Sequence, residues 1–493
     1  MALGRAAAGW AARAAGTAPA MHSSAPAGWT RAYAPEPDAP DEAFSAVDEP
    51  RPLYEPLLAK LAGHDPDRLV GRIAERLERE QVTFGSLSGL FRLDPVPRLI
   101  EAAEWERLEA GLSQRARALD AFAADAYGER RIFSAGLVPD RVLEGSPVYE
   151  PRMREIPHPD GRWVHVCGFD VARRVDGDLV VLEDNARTPS GIYYAIVARH
   201  VIVDELAVPG IDPRSIDPTL EQLAATFRDA SPTKGDGRIA VVTDGPENVA
   251  FFEHRAVAEA IGASLVTPAD LESARGRLWL RDPRDREPID VVYRRTDDAR
   301  LTDDDRALTP LGELLFEPLR SGTLAMVNRF GSGVADDKLS YAYTPAMIRF
   351  YLDEEPIVDS IRTYDLAIDE HREEALERID ELVLKPRFGS GGEQVVIGGD
   401  ADREGLGDAR DRIRERPEDF VAQEQISLST HPCVRGGGLE PRRIDLRPFS
   451  YASEGGYAIS PGGLTRYAAE RGEMIVNSSQ GGGAKDTWVL GPR

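Results

Sequence analysis

The chain has 493 residues, and its 84 acidic against 60 basic side chains leave a net charge of −24. Apolar residues make up 42 % and charged residues 29 %, a globular balance that excludes a disordered or collagen-like chain. The length predicts roughly two to four domains. The acidic balance argues against broad surfaces for nucleic acid or anionic membrane, since such surfaces cluster Lys and Arg. With two cysteines and no apolar run long enough to span a bilayer, we expect a cytoplasmic protein without a disulfide framework.

The first half of the chain divides into three predicted regions. Residues 1–50 are rich in Ala, Pro, Asp and Glu, and we expect a disordered leader there. Apolar positions at three- and four-residue spacing predict a helical region over residues 51–147, with Asp65 and Pro66 as the cap and first turn of one helix. Residues 148–235 begin with strand-like segments and continue into a long helix.

The second half predicts an α/β unit followed by a β-rich region. Over residues 236–330 the runs IAVVTDG, VAFFEHRAVAEAIG, ASLVTP and IDVVYRR are typical of strand, helix, strand and strand. This order at this spacing is typical of a parallel sheet. Residues 331–493 start with helical segments and continue with short strands separated by Gly-rich turns. The predicted fold class is therefore α/β and α+β, in several domains.

Several common catalytic motifs are missing from the sequence. It contains no G-x-x-x-x-G-K-[ST], no G-x-G-x-x-G, no H-E-x-x-H and no G-x-S-x-G. The eight histidines are scattered along the chain. Hydride transfer, zinc-dependent hydrolysis and α/β-hydrolase chemistry therefore lose support.

The first candidate site lies in the run GFDVARRVDGDLVVLEDNARTPSG. Asp176 and Gly177 between two β-rich segments predict a two-residue hairpin loop, and that register places Asp170 directly opposite Glu183. Facing like charges are destabilising, so removing either carboxylate would leave the fold intact or stabilise the metal-free protein, and a cation between them would reverse the penalty. Alternation puts Asn185 on the same face as Glu183, which completes a set of oxygen donors suited to Mg²⁺. A solvated acidic hairpin is the alternative.

The second candidate site is a Gly-rich loop in the run LVLKPRFGSGG. A strand ends near Lys385, and the loop Gly389, Ser390, Gly391 and Gly392 follows. Loop glycines let backbone N–H groups approach an anion closely, and the lysine adds charge for phosphate oxygens. Taken alone, the pattern equally describes an ordinary glycine hairpin.

Two later strands could complete a nucleotide site. The run FVAQEQI ends in Gln423 and Glu424, which offer partners for an adenine edge and ribose hydroxyls, although a plain edge strand remains open. In RRIDLRPF, alternation places Arg443, Asp445 and Arg447 on one face. Such a row could hold a carboxylate or a transferring phosphoryl group, or form a structural ladder of ion pairs.

In combination these segments resemble the circularly permuted ATP-grasp proteins, in the group that also holds glutathionylspermidine synthetase. The resemblance extends from about residue 55 to the C-terminus. It rests on VLEDNARTPSG, GSGVADDK, LVLKPRFGSGG, RRIDLRPF and NSSQGGGAKDTWVL in this order. It implies a permuted ATP-grasp fold, with the metal-binding part at 148–235, a pre-ATP-grasp α/β domain at 236–330 and the nucleotide-binding part with its glycine flap at 331–493.

The resemblance also implies an ATP- and Mg²⁺-dependent ligase that joins a carboxylate to an amine through an acyl phosphate. The residues it assigns are Asp170, Glu183 and Asn185 as Mg²⁺ ligands; Lys338 and Lys385 for the ATP phosphates, with Gly389, Ser390, Gly391 and Gly392 as the flap; Gln423, Glu424 and Ile426 beside adenine and ribose; and Arg187, Arg443 and Arg447 as stabilisers of the tetrahedral intermediate.

Two other functions remain open at this point. An ATP-grasp phosphotransferase would make a stable phosphorylated product, and a non-catalytic scaffold would bind the nucleotide without turnover. For the ligase we expect a small-molecule or peptide substrate that offers a carboxylate and an amine, with no nucleic-acid or membrane partner. No motif identifies the acid, the amine or the oligomeric state.

Overall fold

In the computed structural model, the described residues are 28–30, 33–85, 89–235, 237–282, 284, 287–388, 394–476 and 481–491. Their helices are α1 (Glu55–Ala62), α2 (Pro66–Arg79), α3 (Ala102–Tyr127), α4 (Arg131–Ser134), α5 (Ile192–Leu206), α6 (Pro218–Ala230), α7 (Phe251–Ile261), α8 (Pro310–Arg320), α9 (Lys338–Ala342), α10 (Thr344–Leu352), α11 (Asp369–Glu377) and α12 (Arg403–Glu415).

Their strands are β1 (Phe44–Ala46), β2 (Glu49–Pro50), β3 (Leu93–Ile100), β4 (Val166–Arg173), β5 (Leu179–Asn185), β6 (Ile239–Val242), β7 (Ser264–Val266), β8 (Leu271–Ala274), β9 (Arg277–Leu280), β10 (Pro288–Ile289), β11 (Val291–Arg294), β12 (Ala325–Val327), β13 (Thr363–Asp365), β14 (Leu382–Pro386), β15 (Val396–Ile397), β16 (Phe420–Glu424), β17 (Thr430–Arg435), β18 (Gly438–Arg447), β19 (Phe449–Ser453), β20 (Gly456–Ile459), β21 (Leu464–Tyr467) and β22 (Gly483–Val489).

A nine-stranded sheet forms the centre of the molecule. Its main path is β20-β19-β4-β18-β21-β22-β3, with β5 beside β4 and β17 beside β18. The pairs are antiparallel except for β22 and β3, which run parallel. Helix α3 packs against β20, and α5 packs against β22. The hairpin β4–β5 and the strand β18, both singled out in the sequence, are thus neighbours in one sheet.

The predicted parallel sheet is present in the α/β unit. Its order is β12-β11-β6-β7, and all its pairs are parallel. Helices α6 and α7 cover it with apolar side chains such as Phe227 and Val257, which explains why its strands are short uninterrupted apolar runs. The antiparallel ribbon β10-β9-β8 beside it was not predicted.

A separate four-stranded sheet, called the small sheet below, has the order β13-β16-β14-β15 and is antiparallel throughout. Helices α11 and α12 supply Ala375 and Ile413 to its separate core, where they meet Leu382 and Leu384 of β14. The large sheet and this small sheet face each other across the cavity described below. Within the described residues, no helix is long and apolar enough to cross a membrane.

The leader predicted over residues 1–50 extends too far. Tyr33 and Phe44 are buried, and β1 and β2 pair with each other. The Asp41 carboxylate accepts the backbone N–H groups of Ala43 and Phe44, and also the Thr430 hydroxyl at 2.9 Å. The composition alone predicts disorder, but this buried carboxylate anchors the segment to β17, which is distant in the sequence.

The helical region predicted over residues 51–147 is interrupted by β3, and this prediction is also wrong in part. Every residue of β3 is buried, and the strand pairs with β22 at the edge of the large sheet. Pro95 and Pro97 lie inside it, and prolines in a run argue against a central strand. An edge strand tolerates them, because one side of its backbone needs no ladder partner.

Candidate active site

A cavity of about 470 Å³ lies between the small sheet and the large sheet. Most of the site residues expected from the sequence line this cavity. Those that line it are Asp170, Glu183, Asn185, Arg187, Lys338, Lys385, Gln423, Glu424, Ile426 and Arg447. Of the others, Arg443 does not line the cavity, whereas Gly389, Ser390, Gly391 and Gly392 lie outside the described residues.

The β4–β5 hairpin brings Asp170 opposite Glu183, as the sequence predicts. The turn and the strand register that produce this pair differ from the predicted ones. The turn is one residue longer than expected, because the Arg174 N–H bonds the Asp178 carbonyl oxygen and Gly177 adopts φ +95°. The register then shifts by one residue at Leu182, which restores the predicted pair. This bulge is the type of irregularity that re-aims side chains beside active sites.

Asp170 lies at the centre of a buried ionic cluster. Its side chain is 8 % exposed. The carboxylate accepts hydrogen bonds from Nε and Nη2 of Arg447 at 2.6 and 2.8 Å, and Nη2 of Arg466 lies 2.9 Å from it. Burial disfavours its charged form, but the two guanidinium groups outweigh burial and hold the Asp170 pKa well below its ordinary value. Arg466 also pairs with Asp445, its cross-strand partner. Asp170 is therefore ionised at neutral pH.

Glu183 occupies a different environment from Asp170. Its side chain is 36 % exposed, and Nζ of Lys338 lies 3.5 Å from its Oε1 atom. The next residue, Asp184, points away from Glu183 and forms a buried pair with Arg115, at 2.6 and 2.7 Å. Glu183 is therefore the more accessible of the two facing carboxylates.

The residues present fit Mg²⁺. Asp170, Glu183 and Asn185 offer two carboxylates and an amide oxygen at one wall of the cavity. The Asn185 Nδ2 atom is buried without a hydrogen-bond partner among the described residues, so this amide is not fully committed to the protein. No three His, Cys, Asp or Glu side chains converge as a metal site in the described ranges. Water or phosphate oxygens would complete the coordination, as is usual for Mg²⁺.

Two lysines face the same region from different elements. Lys338 is the first residue of α9, and Lys385 lies on β14. Burial lowers the pKa of Lys385, and the neighbouring Lys338 adds to the effect, while Glu183 and Asp170 oppose it. Two ammonium groups beside the carboxylates match the phosphate oxygens of a metal-bound nucleotide.

The side chain of Gln423 is hydrogen-bonded to the protein at both ends. Its side-chain oxygen accepts Nζ of Lys385 at 2.6 Å, and its amide nitrogen donates to the Thr363 hydroxyl at 3.1 Å. Both ends of the amide are used by the protein, so this side chain positions Lys385 and does not remain free for an adenine edge. The apolar side chains of Leu182 and Val383 line the same part of the cavity and could pack against a flat base.

The arginines lie in three separate places. Arg447 and the unpredicted Arg466 meet at Asp170, whereas Arg187 pairs with the buried Asp336 at 2.9 Å. Arg443 shares a face of β18 with Arg447, but it bonds Asp38 at 2.7 Å under the N-terminal segment. Since that segment covers it, alternation along the strand alone could not exclude it from the site. Arg466 carried no motif, and only its pairing across two strands reveals it.

Comparisons with known proteins identify the family of this chain. Residues 97–468 match the family model described as circularly permuted ATP-grasp type 2. An uncharacterized protein of Mycobacterium tuberculosis is 40 % identical over 467 residues, covering 92 % of this chain and 84 % of that protein. A protein of Frankia casuarinae named "Putative glutamate--cysteine ligase 2-2" is 39 % identical over 97 % of this chain, but the match covers 57 % of its length.

A solved structure shares the fold. It is a glutathione synthetase-like effector from Globodera pallida in its apo form, with a TM-score of 0.56 and 12 % identity, over 87 % of this chain and 98 % of that one. Since the family model covers well over half of the sequence, the chain belongs to the circularly permuted ATP-grasp family, type 2.

Proposed function

We propose that the protein is an ATP- and Mg²⁺-dependent ligase that joins a carboxylate to an amine through an acyl phosphate. The observation that carries this proposal is the composition of one cavity. It contains the donor set of Asp170 and Glu183, the two lysines Lys338 and Lys385, and the arginine Arg447 beside them. A nucleotide, a metal and a negatively charged reaction centre each find matching groups within it.

The residues suggest how the two steps would proceed. In the first, a substrate carboxylate oxygen attacks the γ-phosphorus of ATP, the new O–P bond forms, and ADP leaves as the β,γ-bridging bond breaks. Lys338 and Lys385 would hold the phosphate oxygens in line for that attack. Bound at Asp170, Glu183 and Asn185, Mg²⁺ would supply charge neutralisation on the phosphates.

In the second step the amine nitrogen attacks the acyl carbon and a C–N bond forms. Phosphate leaves as the bond between the acyl carbon and the phosphate oxygen breaks, and the nitrogen loses one proton to water. The tetrahedral intermediate carries negative charge, which Arg447 and Arg466 would stabilise. Asp170 and Asp445 raise the pKa of Arg466 against the opposing effect of burial, so it keeps its charge inside the cavity. No side-chain nucleophile is needed, in agreement with the missing Ser, Cys and His motifs.

The relatives support a ligase in a limited way. The Frankia casuarinae protein carries a glutamate–cysteine ligase name, but that name describes a chain of which the matched part covers 57 %. We therefore propose carboxylate–amine ligation as the class of reaction, on a small-molecule or peptide substrate. A cytoplasmic location, where ATP is supplied, belongs to the same proposal.

The test is ATP turnover in the presence of candidate acids and hydroxylamine. A ligase releases ADP and forms a hydroxamate when the acid is present, and Glu183→Gln abolishes both. Glu373→Gln is the matched control, because Glu373 is exposed and lies outside the cavity. ADP release with a stable phosphorylated product and no hydroxamate would instead identify a phosphotransferase. Binding of ATP without turnover under any condition would identify a scaffold.

A further inference from the structure

Part of the cavity lining is apolar, and the reaction described above gives it no role. We call it the apolar wall, and it consists of the lining residues Phe84, Phe91, Tyr194 and Leu464, which pack in one hydrophobic cluster. The Tyr194 ring lies 5.5 Å from that of Phe84 and 4.8 Å from that of Phe91, between ring centroids. The Tyr194 hydroxyl donates to the Thr83 carbonyl oxygen at 2.6 Å. The single hydroxyl of the wall is therefore already used by the protein.

The apolar wall lies next to Arg447 and Arg466, which we call the arginine pair. Leu464 and Arg466 are two residues apart on β21, so they share a face with roughly 7 Å between them. Leu464 is also the cross-strand partner of Arg447. Nη1 of Arg447 lies 3.4 Å from the carbonyl oxygen of Ser190, which is four residues before Tyr194. A molecule held at the arginines thus has the wall directly beside it.

The arginine pair retains a donor for such a molecule. Nε and Nη2 of Arg466 point to Asp445 and Asp170. Its Nη1 atom donates to no protein acceptor among the described residues. A guanidinium edge of this kind suits a carboxylate, with a charge-assisted hydrogen bond.

We propose that the apolar wall binds the side chain of the carboxylate substrate, and that this substrate is an amino-acid derivative or peptide end with an aliphatic or aromatic side chain. This inference rests on the proposed ligase function and names the class of acid it uses. The carboxylate lies at Arg466, and the side chain packs on Phe84 and its neighbours. An acidic or amide side chain would lose its water there without gaining a partner, which is costly.

The test measures binding of the acid without turnover. Calorimetric titrations with Mg²⁺ and a non-hydrolysable ATP analogue would compare N-acetyl-L-phenylalanine, N-acetyl-L-glutamate and N-acetylglycine. The phenylalanine derivative should bind on the order of tenfold more tightly than the other two, since burial of its ring is favourable. Phe84→Ala should remove most of that advantage and Phe84→Leu should restore it. Phe350→Ala is the control, because Phe350 is also half-buried but lies outside the cavity.

Equal or tighter binding of the glutamate derivative, binding of none of the three acids, or an unchanged affinity in Phe84→Ala would overturn the inference. The proposed function is tested separately by hydroxamate formation with ATP. Preferred binding of the apolar acid without hydroxamate would refute the ligase and keep the subsite. Hydroxamate formation from all three acids, with no preference in binding, would keep the ligase and refute the subsite.

Discussion

Asp170→Asn and Glu183→Gln should both abolish Mg²⁺-dependent turnover, yet they should differ sharply in stability. The facing carboxylates alone suggest that either change relieves repulsion in the metal-free protein. The structure changes this expectation for Asp170. Arg447 and Arg466 surround its carboxylate, whereas Glu183 is 36 % exposed and has Lys338 at 3.5 Å.

The expected loss of stability in each variant depends on the charges and contacts that remain after the substitution. The cluster of Asp170, Asp445, Arg447 and Arg466 holds two charges of each sign, and Asp170→Asn gives it a net charge of one. Arg466 keeps Asp445, but Arg447 keeps only the Ser190 carbonyl oxygen at 3.4 Å. Breaking a buried ion pair from one side costs about 3–5 kcal/mol, and the remaining contacts favour the lower end, about 3 kcal/mol. The exposed Glu183 contact should cost less than about 1 kcal/mol.

Denaturant unfolding with EDTA, followed by circular dichroism, measures this difference directly. Mg²⁺ with ATP should then raise the unfolding midpoint of the wild type and leave Glu183→Gln unchanged, because ligand binding stabilises only a protein that binds it. Equal stability losses in the two variants, or an Asp170→Asn protein as stable as the wild type, would refute the account of the ionic cluster. Full turnover in both would refute the metal site.

Three further predictions concern other charged groups in the site and next to it. Burial raises the pKa of Asp336 to about 6 against the pull of Arg187, so the folded protein binds this proton more tightly than the unfolded chain. The free energy of unfolding of the wild type should therefore fall by up to about 1.4 kcal/mol per pH unit between pH 3.8 and about 6 because of this group. Asp336→Asn should lack this part of the pH dependence, and parallel plots of unfolding free energy against pH for the two proteins would contradict the prediction. Arg443→Gln should lower the free energy of unfolding by about 3 kcal/mol and leave the Kd for ATP within about twofold of the wild-type value. A large loss of ATP affinity in this variant would show that Arg443 belongs to the binding site. Lys385→Met should weaken ATP binding on the order of tenfold in calorimetry, with Lys60→Met, which lies outside the cavity, as an unaffected control.

The sequence determined the local parts of this site. Alternation and the turn signal placed Asp170 opposite Glu183, although a longer turn and a bulge at Leu182 produced that pair by another route. Period-two spacing correctly sent Asp184 to the opposite face, where it meets Arg115. These results depend on residues a few positions apart, and backbone geometry over such distances is encoded locally.

The tertiary structure decided everything that depends on distant strands. Arg466 reaches Asp170 because β18 lies between β4 and β21, and Arg443 leaves the site because residues 36–38 cover it. Sheet order and the packing of far segments carry no periodic signal in the chain. The sequence by itself therefore determined the family, the α/β unit and the candidate ligands, while only the packed structure decided which charges meet in the cavity and which apolar side chains stand beside them.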